Sequence, residues 1–455
     1  MDRDNWPDKT LILSGFFINN RRMKMNVKKQ FMKYVSLNIL GMIGLSCYIL
    51  ADSYFISKAQ GANGLTALNL VLPLYNMIFA IGAMIGVGSA IRYSVGKSKG
   101  DVDSERYVWN AIVWNGIIGV IFILIGLFLA EPLLRMLGAD DEIVKVGVPY
   151  TRIFMMFAPM FMWNLTANAY VRNDNAPHIA MIATLSSSLF NIVFDYVLMF
   201  PLGLGMRGAA LATALSPVIG IAICMTHLLS KKSSVKVKVC MISVKKLVMS
   251  CQVGVSAFVA EISSGVITLV FNYIILTLTG NVGVAAYGVV ANVALVVVAV
   301  FNGIAQGSQP LISSSYGKGD EKDVKILRNM SLITGFVCAI ILYTFLYVCT
   351  DNVVAIFNGE NDIMLAKYAH EGVRIYFIGI FFSGLNIIGS SFFSAVERVR
   401  GAFIVSMLRG FVLIILSAFI MSVLLKMTGI WMAYAVAEAI TCVIMFAFMR
   451  EKKKN

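Results

Sequence analysis

The chain is 455 residues long, 58% apolar and only 14% charged, with a formal net charge of +14. Soluble domains carry roughly a quarter charged residues, so the composition excludes a soluble enzyme or binding module and points to a membrane protein. A nucleic-acid surface is the rival reading of the positive charge, but the Lys and Arg follow the parity of the loops and form no single patch, so no nucleic-acid partner is expected.

Residues 1–33 read as a polar, basic N-terminal segment holding one apolar run, Leu11 to Ile18, too short to cross a bilayer. Met1, Met23 and Met25 each offer a translation start. Twelve apolar blocks come next, at 34–56, 68–92, 107–130, 150–170, 178–199, 208–229, 252–278, 284–312, 328–350, 371–394, 402–425 and 429–449. About 20 residues span the hydrocarbon core as a helix, and the blocks are continuous instead of alternating, so helices are expected and a barrel is not. The fold class is therefore an all-α polytopic membrane protein of twelve spans. The basic residues collect in the N-terminal segment, in a connector at 230–251 (Lys231, Lys232, Lys236, Lys238, Lys245, Lys246) and in a tail at 450–455. By the positive-inside rule both termini and the connector face the cytoplasm, which places the chain in the cell (inner) membrane with the bilayer as its first partner.

In chain order, span 1 carries Asp52 near its outer end. It is either a helix-end residue at the interface or a carboxyl facing a cavity, since a lipid-facing charge is costly. Span 5 carries Asn191 and Asp195, four apart and hence on one helix face. Asp195 and Asp52 lie about equally far from the outer ends of their spans, so the two carboxyls share a depth. With the Asn191 amide they can hold one proton or one small cation. Span 7 carries Glu261, roughly a dozen ångströms in from its start at 1.5 Å per residue, as a functional acid or a structural hydrogen-bonding group. Span 8 ends in Gln306-Gly-Ser-Gln309-Pro310, where Pro310 marks either a gating bend or a plain helix end. Tyr54, Asn164, Asn272, Gln306 and Asn386 mark the expected polar lining of a substrate cavity. The seven cysteines are scattered and His178, His227 and His370 are isolated, so no metal site, cofactor or catalytic cluster is expected.

The chain is duplicated. Shifted by 219 positions, Gly61 meets Gly280, Gly88-Ser89 meets Gly307-Ser308, and Lys99-Gly100-Asp101 meets Lys318-Gly319-Asp320. Later, at an offset of 222, Arg152 meets Arg374 and Asn164 meets Asn386. Six spans per copy is even, so both copies, 34–229 and 252–449, enter from the same side. The copies provide an internal control: Asp52 corresponds to Phe271, Glu261 to Met42, and Asp195 to the stretch around Ser417. Packing needs alone should not place acids so unequally, whereas ion coupling localised in one copy would.

Ala51-Asp52-Ser53-Tyr54-Phe55, Asn191-Ile-Val-Phe-Asp195, Gly208-Ala209-Ala210-Leu211-Ala212-Thr213 and Gln309-Pro310 followed by Gly317-Lys318-Gly319-Asp320 together resemble the multidrug and toxic compound extrusion (MATE) transporters over about residues 30–450. The resemblance implies two pseudo-symmetric six-helix lobes facing each other in a V. It implies alternating access, and export of amphipathic, often cationic, small molecules against H⁺ or Na⁺. A monomer is expected, and no enzyme, since the sequence offers no nucleophile–base or metal set. It places the proton or sodium site on Asp52, Asn191 and Asp195. A second branch binds a cation with a span-7 glutamate, matched by Glu261, which thereby joins the expected ion-coupling residues, and with a span-10 aspartate that is absent here. A lipid-linked oligosaccharide flippase of the same superfamily is the alternative, for which a strongly cationic cavity is expected. A major-facilitator transporter would carry a basic signature after span 2, where this chain reads Gly-Lys-Ser-Lys-Gly-Asp.

Overall fold

The computed structural model describes residues 9–358 and 362–451; the first eight residues of the expected N-terminal segment and residues 452–455 of the tail lie outside them. Among the described residues the regular structure is entirely helical. Nine of these helices are long and apolar enough to cross a membrane. Spans 1, 2 and 3 are Val27–Gly61, Thr66–Ser98 and Val102–Met136, and spans 5 and 6 are Pro177–Met199 and Gly205–Leu228. Val244–Gly317 holds spans 7 and 8, Glu321–Val348 is span 9, Ile363–Ala395 is span 10, and Val399–Arg450 holds spans 11 and 12. Span 4 is made of two pieces, Asp141–Met156 and Ala158–Asn173. The twelve crossings expected from the apolar blocks are thus all present.

The breaks have local causes. Spans 1 and 2 part at Gly61 (φ 61°, ψ −148°), and spans 7 and 8 part at Gly280 (φ 69°, ψ −157°). A side chain at either glycine would meet nothing within 4 Å, so the backbone conformation, essentially closed to other residues, is the reason for glycine there. Lys426 (φ 50°, ψ −128°) plays the same part between spans 11 and 12 without being glycine. The repeated Lys-Gly-Asp is a helix–turn–helix device. Its aspartates cap the first turn of the next helix, Asp101 accepting from the Asp103 N–H at 2.9 Å and Asp320 from the Asp323 N–H at 3.0 Å. Span 4 breaks at Phe157 because Pro159 cannot donate into the preceding turn.

Each copy packs its own core. Ile56, Val71, Phe154 and Phe161 anchor the first lobe, and Phe271, Phe301, Phe377 and Trp431 the second. The lobes meet closely at the end that carries the connector, the basic end. There span 1 lies on span 8, with Phe31 and Val35 buried in the second lobe's core. Span 2 lies on span 7: a methyl group on Gly88 would sit 2.0 Å from the Ser250 carbonyl oxygen, and one on Gly254 would sit 1.9 Å from that of Met84. Small residues let membrane helices approach to backbone contact. Span 7 begins at Val244, inside the stretch expected as connector, with the Ser243 N–H donating to Asn110 Oδ1 at 2.7 Å.

Candidate ion-coupling site

Three helices of the first lobe build the site. Asp52 enters from span 1, Asn191 and Asp195 from one face of span 5, and Thr213 from span 6. Asn191 and Asp195 are 0% exposed and Asp52 is 8% exposed. The Asp52 and Asp195 carboxyls are in hydrogen-bonding contact. In the orientation that satisfies its neighbours, the Asn191 amide nitrogen donates to Asp195 Oδ2 at 3.0 Å, and its oxygen accepts from the Thr213 hydroxyl and N–H, each at 3.2 Å. The Tyr150 hydroxyl is in turn bonded to Thr213. One oxygen of each carboxyl, Oδ1 in both cases, has no partner among the described residues, and no Lys or Arg there pairs with either group. The structure therefore brings Asp52, Asn191 and Asp195 together as a buried acidic pair with an orienting amide. Such a pair holds one proton or one small cation more readily than two bare charges. Its oxygens, all hard donors, fit either.

Glu261 is not in this cluster. It is half-buried on span 7, within electrostatic reach of the Tyr48 and Tyr75 hydroxyls, which are 3.0 Å apart in the first lobe. Tyr48 lies one turn before Asp52 on span 1 and also feels Asp52 and Asp195, so it is within electrostatic reach of both sets of acids. Of the expected cavity residues, Tyr54 is 60% exposed with its ring against Phe55. Asn164 accepts from Asn168 at 3.0 Å. Asn272 and Gln306 are half-buried. Pro310 is buried in a helix that stays helical to Gly317; the break in that helix is at Gly280, not at the proline.

Asn386 has a different setting from the expected one. Its amide donates to the Glu438 carboxylate at 2.6 Å and to the Glu438 carbonyl at 2.8 Å. Arg409 Nε and Nη2 grip Glu438 Oε1 at 3.1 and 2.8 Å. Sequence reasoning misses this pair. The second lobe does hold a deeply buried acid, but a fixed arginine on a π-helical turn of span 11, Leu408–Val412, neutralises it. The available signal is one lone charge of each sign in the adjacent blocks 402–425 and 429–449.

The MatE family model matches residues 38–197 and 256–420 of the chain. "Multidrug export protein MepA" of Staphylococcus saprophyticus is 27% identical over 423 residues, covering 92% of each chain, and MepA of Staphylococcus aureus matches to the same extent. Among solved structures, an outward-facing multidrug resistance MATE family transporter of the MOP superfamily superposes with a TM-score of 0.87 at 21% identity, covering 93% of this chain and 95% of that one. A Pyrococcus furiosus MOP superfamily transporter, described as having a binding pocket of reversed polarity, superposes at 0.85 with the same identity and coverage.

Proposed function

From the premise that the chain belongs to the MatE family, we propose that it is a secondary active antiporter that exports amphipathic, often cationic, compounds in exchange for H⁺ or Na⁺. In this reading it works as a monomer in the cell membrane with both termini in the cytoplasm; the export role is supported by relatives named multidrug export proteins. The observation that carries the coupling role is the pair of buried carboxyls, Asp52 and Asp195, in contact with each other and without a basic partner among the described residues. A buried carboxyl with no fixed counter-ion is neutralised by a proton or a bound cation that can leave again, and such an exchangeable occupant is what an antiporter needs. A proton is the first choice of coupling ion. With the pair deprotonated, the first lobe attracts a cationic guest. Proton entry from outside weakens that attraction and biases the lobes toward return. An occupant moves such an equilibrium only by its differential affinity for the two states. Glu261 adds a third acid within electrostatic reach of Tyr48 and Tyr75 of the first lobe, and Tyr54, Asn164, Asn272 and Gln306 supply the polar lining, from which the fully buried Asn386, bound to Glu438, drops out.

The test is efflux of a cationic dye from vesicles under separately imposed H⁺ and Na⁺ gradients. Asp52→Asn and Asp195→Asn are expected to lose gradient-driven efflux while still binding dye. Glu261→Gln is expected to weaken dye affinity by about 5- to 150-fold, the usual range for coupled sites. Undiminished gradient-driven efflux by all three variants would overturn the assignment.

A further inference from the structure

Two short loops at the basic end, one joining spans 4 and 5 and the other joining spans 10 and 11, each hold a non-glycine residue with positive φ. These are Asn175 (φ 61°) and Glu397 (φ 56°), 222 positions apart, the same offset that relates Asn164 to Asn386. Asparagine adopts this conformation readily; glutamate does not, and persists there only where its surroundings hold it.

The groups that hold Glu397 belong to the other lobe. Arg92 of span 2 places Nη1 2.6 Å from Glu397 Oε1, and Lys99 lies 4.0 Å from Oε2. Arg92 is itself fixed by donating from Nε to the Met249 carbonyl at 3.2 Å, on span 7. Both side chains of the pair are only 17% exposed. Beneath them Ile91, Val95 and Val253 form an apolar plug drawn from both lobes, with Val399 packed against it. Partly buried charge pairs of this kind are screened far less than surface pairs.

The pseudo-symmetric partner of this contact is present and weaker. Gln309 of span 8, shifted by 219, falls at position 90, within one helical turn of Arg92. It reaches the loop of the first lobe, its Nε2 lying 3.5 Å from Asn173 Oδ1, while Tyr34 donates to Asn175 Oδ1 at 3.1 Å. The second span of each lobe thus sends one long polar side chain to the fourth-to-fifth-span loop of the other.

We propose that Arg92–Glu397 and Gln309–Asn173 are the two jaws of a clamp that holds the basic ends of the lobes together, and that Arg92 and Glu397 are positioning residues whose bond must break in every transport cycle. The charged jaw sets the balance between the two access states, and the neutral jaw aligns the lobes as they close. The inference rests on the alternating-access part of the proposed function and not on the coupling ion or the substrate.

The test reads the conformation directly, without transport. Ser98 and Ser314 face each other across the lobes with their hydroxyl oxygens 3.2 Å apart. In the full chain, with the native cysteines replaced by serine or alanine, Ser98→Cys with Ser314→Cys reports closure through the rate of disulfide cross-linking in gradient-free membranes. Glu397→Gln and Arg92→Ala are each expected to slow cross-linking about fivefold or more, the lower end of two-state coupling. The swap Arg92→Glu with Glu397→Arg is expected to restore much of the rate, and Gln309→Ala to slow it less than Arg92→Ala does. If both single variants lower the thermal midpoint but leave the cross-linking rate unchanged, or if the swap cross-links no faster than the single variants, the pair is merely structural and the proposal fails. Dye efflux measured in parallel separates the two readings: intact clamp behaviour with no drug efflux would reject the substrate assignment alone.

Discussion

Three buried acids of the same chemical type meet two fates in this chain, decided by the nearest partner. Glu438 is 2% exposed and is held by Arg409 and Asn386, so its charge is permanently compensated. Asp52 and Asp195 have each other and the Asn191 amide. Removing one member of a buried ion pair leaves an uncompensated charge and costs about 3–5 kcal/mol, whereas replacing both with apolar residues of similar volume is often neutral. Arg409→Met and Glu438→Gln alone are therefore expected to lower the unfolding midpoint in detergent clearly, and Arg409→Met combined with Glu438→Leu to recover most of the loss. Asp52→Asn, which removes a charge that no protein group compensates, is expected to leave the midpoint unchanged or to raise it. A chain in which Asp52→Asn destabilised more than Arg409→Met would contradict this division between a structural pair and an exchanging pair.

At the scale of elements, the start of the connector is gathered onto the first lobe around one residue of the loop between spans 4 and 5. Asp174 accepts from the Ser233 hydroxyl at 2.8 Å, from the Ser234 N–H at 3.0 Å, from the Ser234 hydroxyl and from His227 Nε2 at 2.9 Å. The Ser234 carbonyl in turn receives Lys97 at 2.9 Å and the Tyr93 hydroxyl at 3.0 Å. Burial acts to raise the Asp174 carboxyl, but the Ser234, Ser233 and His227 donors outweigh it and hold the group below its ordinary range. By linkage, a carboxyl depressed in the folded state stabilises above its unfolded pKa of about 3.9, and that stability is lost as the pH falls through the folded value. The docked connector should resist protease from neutral pH to about pH 4 and become a pepsin substrate only below it. Asp174→Asn should free the backbone around the already exposed Lys231, Lys232, Lys236 and Lys238 for trypsin cleavage at neutral pH. Equal trypsin resistance in Asp174→Asn and wild type would remove Asp174 from this role. None of this docking was legible in the sequence, where Asn173-Asp174-Asn175-Ala176-Pro177 reads only as a turn. The repeat, the twelve crossings and the shared Gly61 and Gly280 were legible, because each is a local pattern of composition or backbone demand. Asp52 and Asp195 could be placed at one depth from helix ends, but their contact depends on which helix faces which, and the apolar pattern does not carry that. The Phe157 break was hidden because Pro159 sat inside a continuous apolar block, and the Arg409–Glu438 pair because its members lie 29 residues apart on separate spans.

For the molecule as a whole, alternating access requires that the closure at the basic end be separable, and its tightest points are glycines on spans 2 and 7. Gly88 stands against the Ser250 carbonyl, and Gly254 against that of Met84, on backbones that cannot yield as a flexible side chain would. Alanine at either position adds one methyl group where there is no room for it, and only in the state where the lobes touch. Its cost falls on that state alone, so it shifts the balance toward basic ends apart, each 1.4 kcal/mol of penalty moving the equilibrium about tenfold. Gly61→Ala serves as the control. Nothing lies within 4 Å of that position, so its cost is backbone strain of about 1–3 kcal/mol borne by both states. A cysteine placed by Ser314→Cys at the span-8 side of the seam should therefore react faster with a membrane-impermeant maleimide, supplied from the basic end, in Gly88→Ala or Gly254→Ala than in the parent. In Gly61→Ala the labelling rate should match the parent although the thermal midpoint falls. Equal labelling in all four backgrounds would mean that the seam does not open along spans 2 and 7, and the moving surface would then have to be sought elsewhere between the lobes.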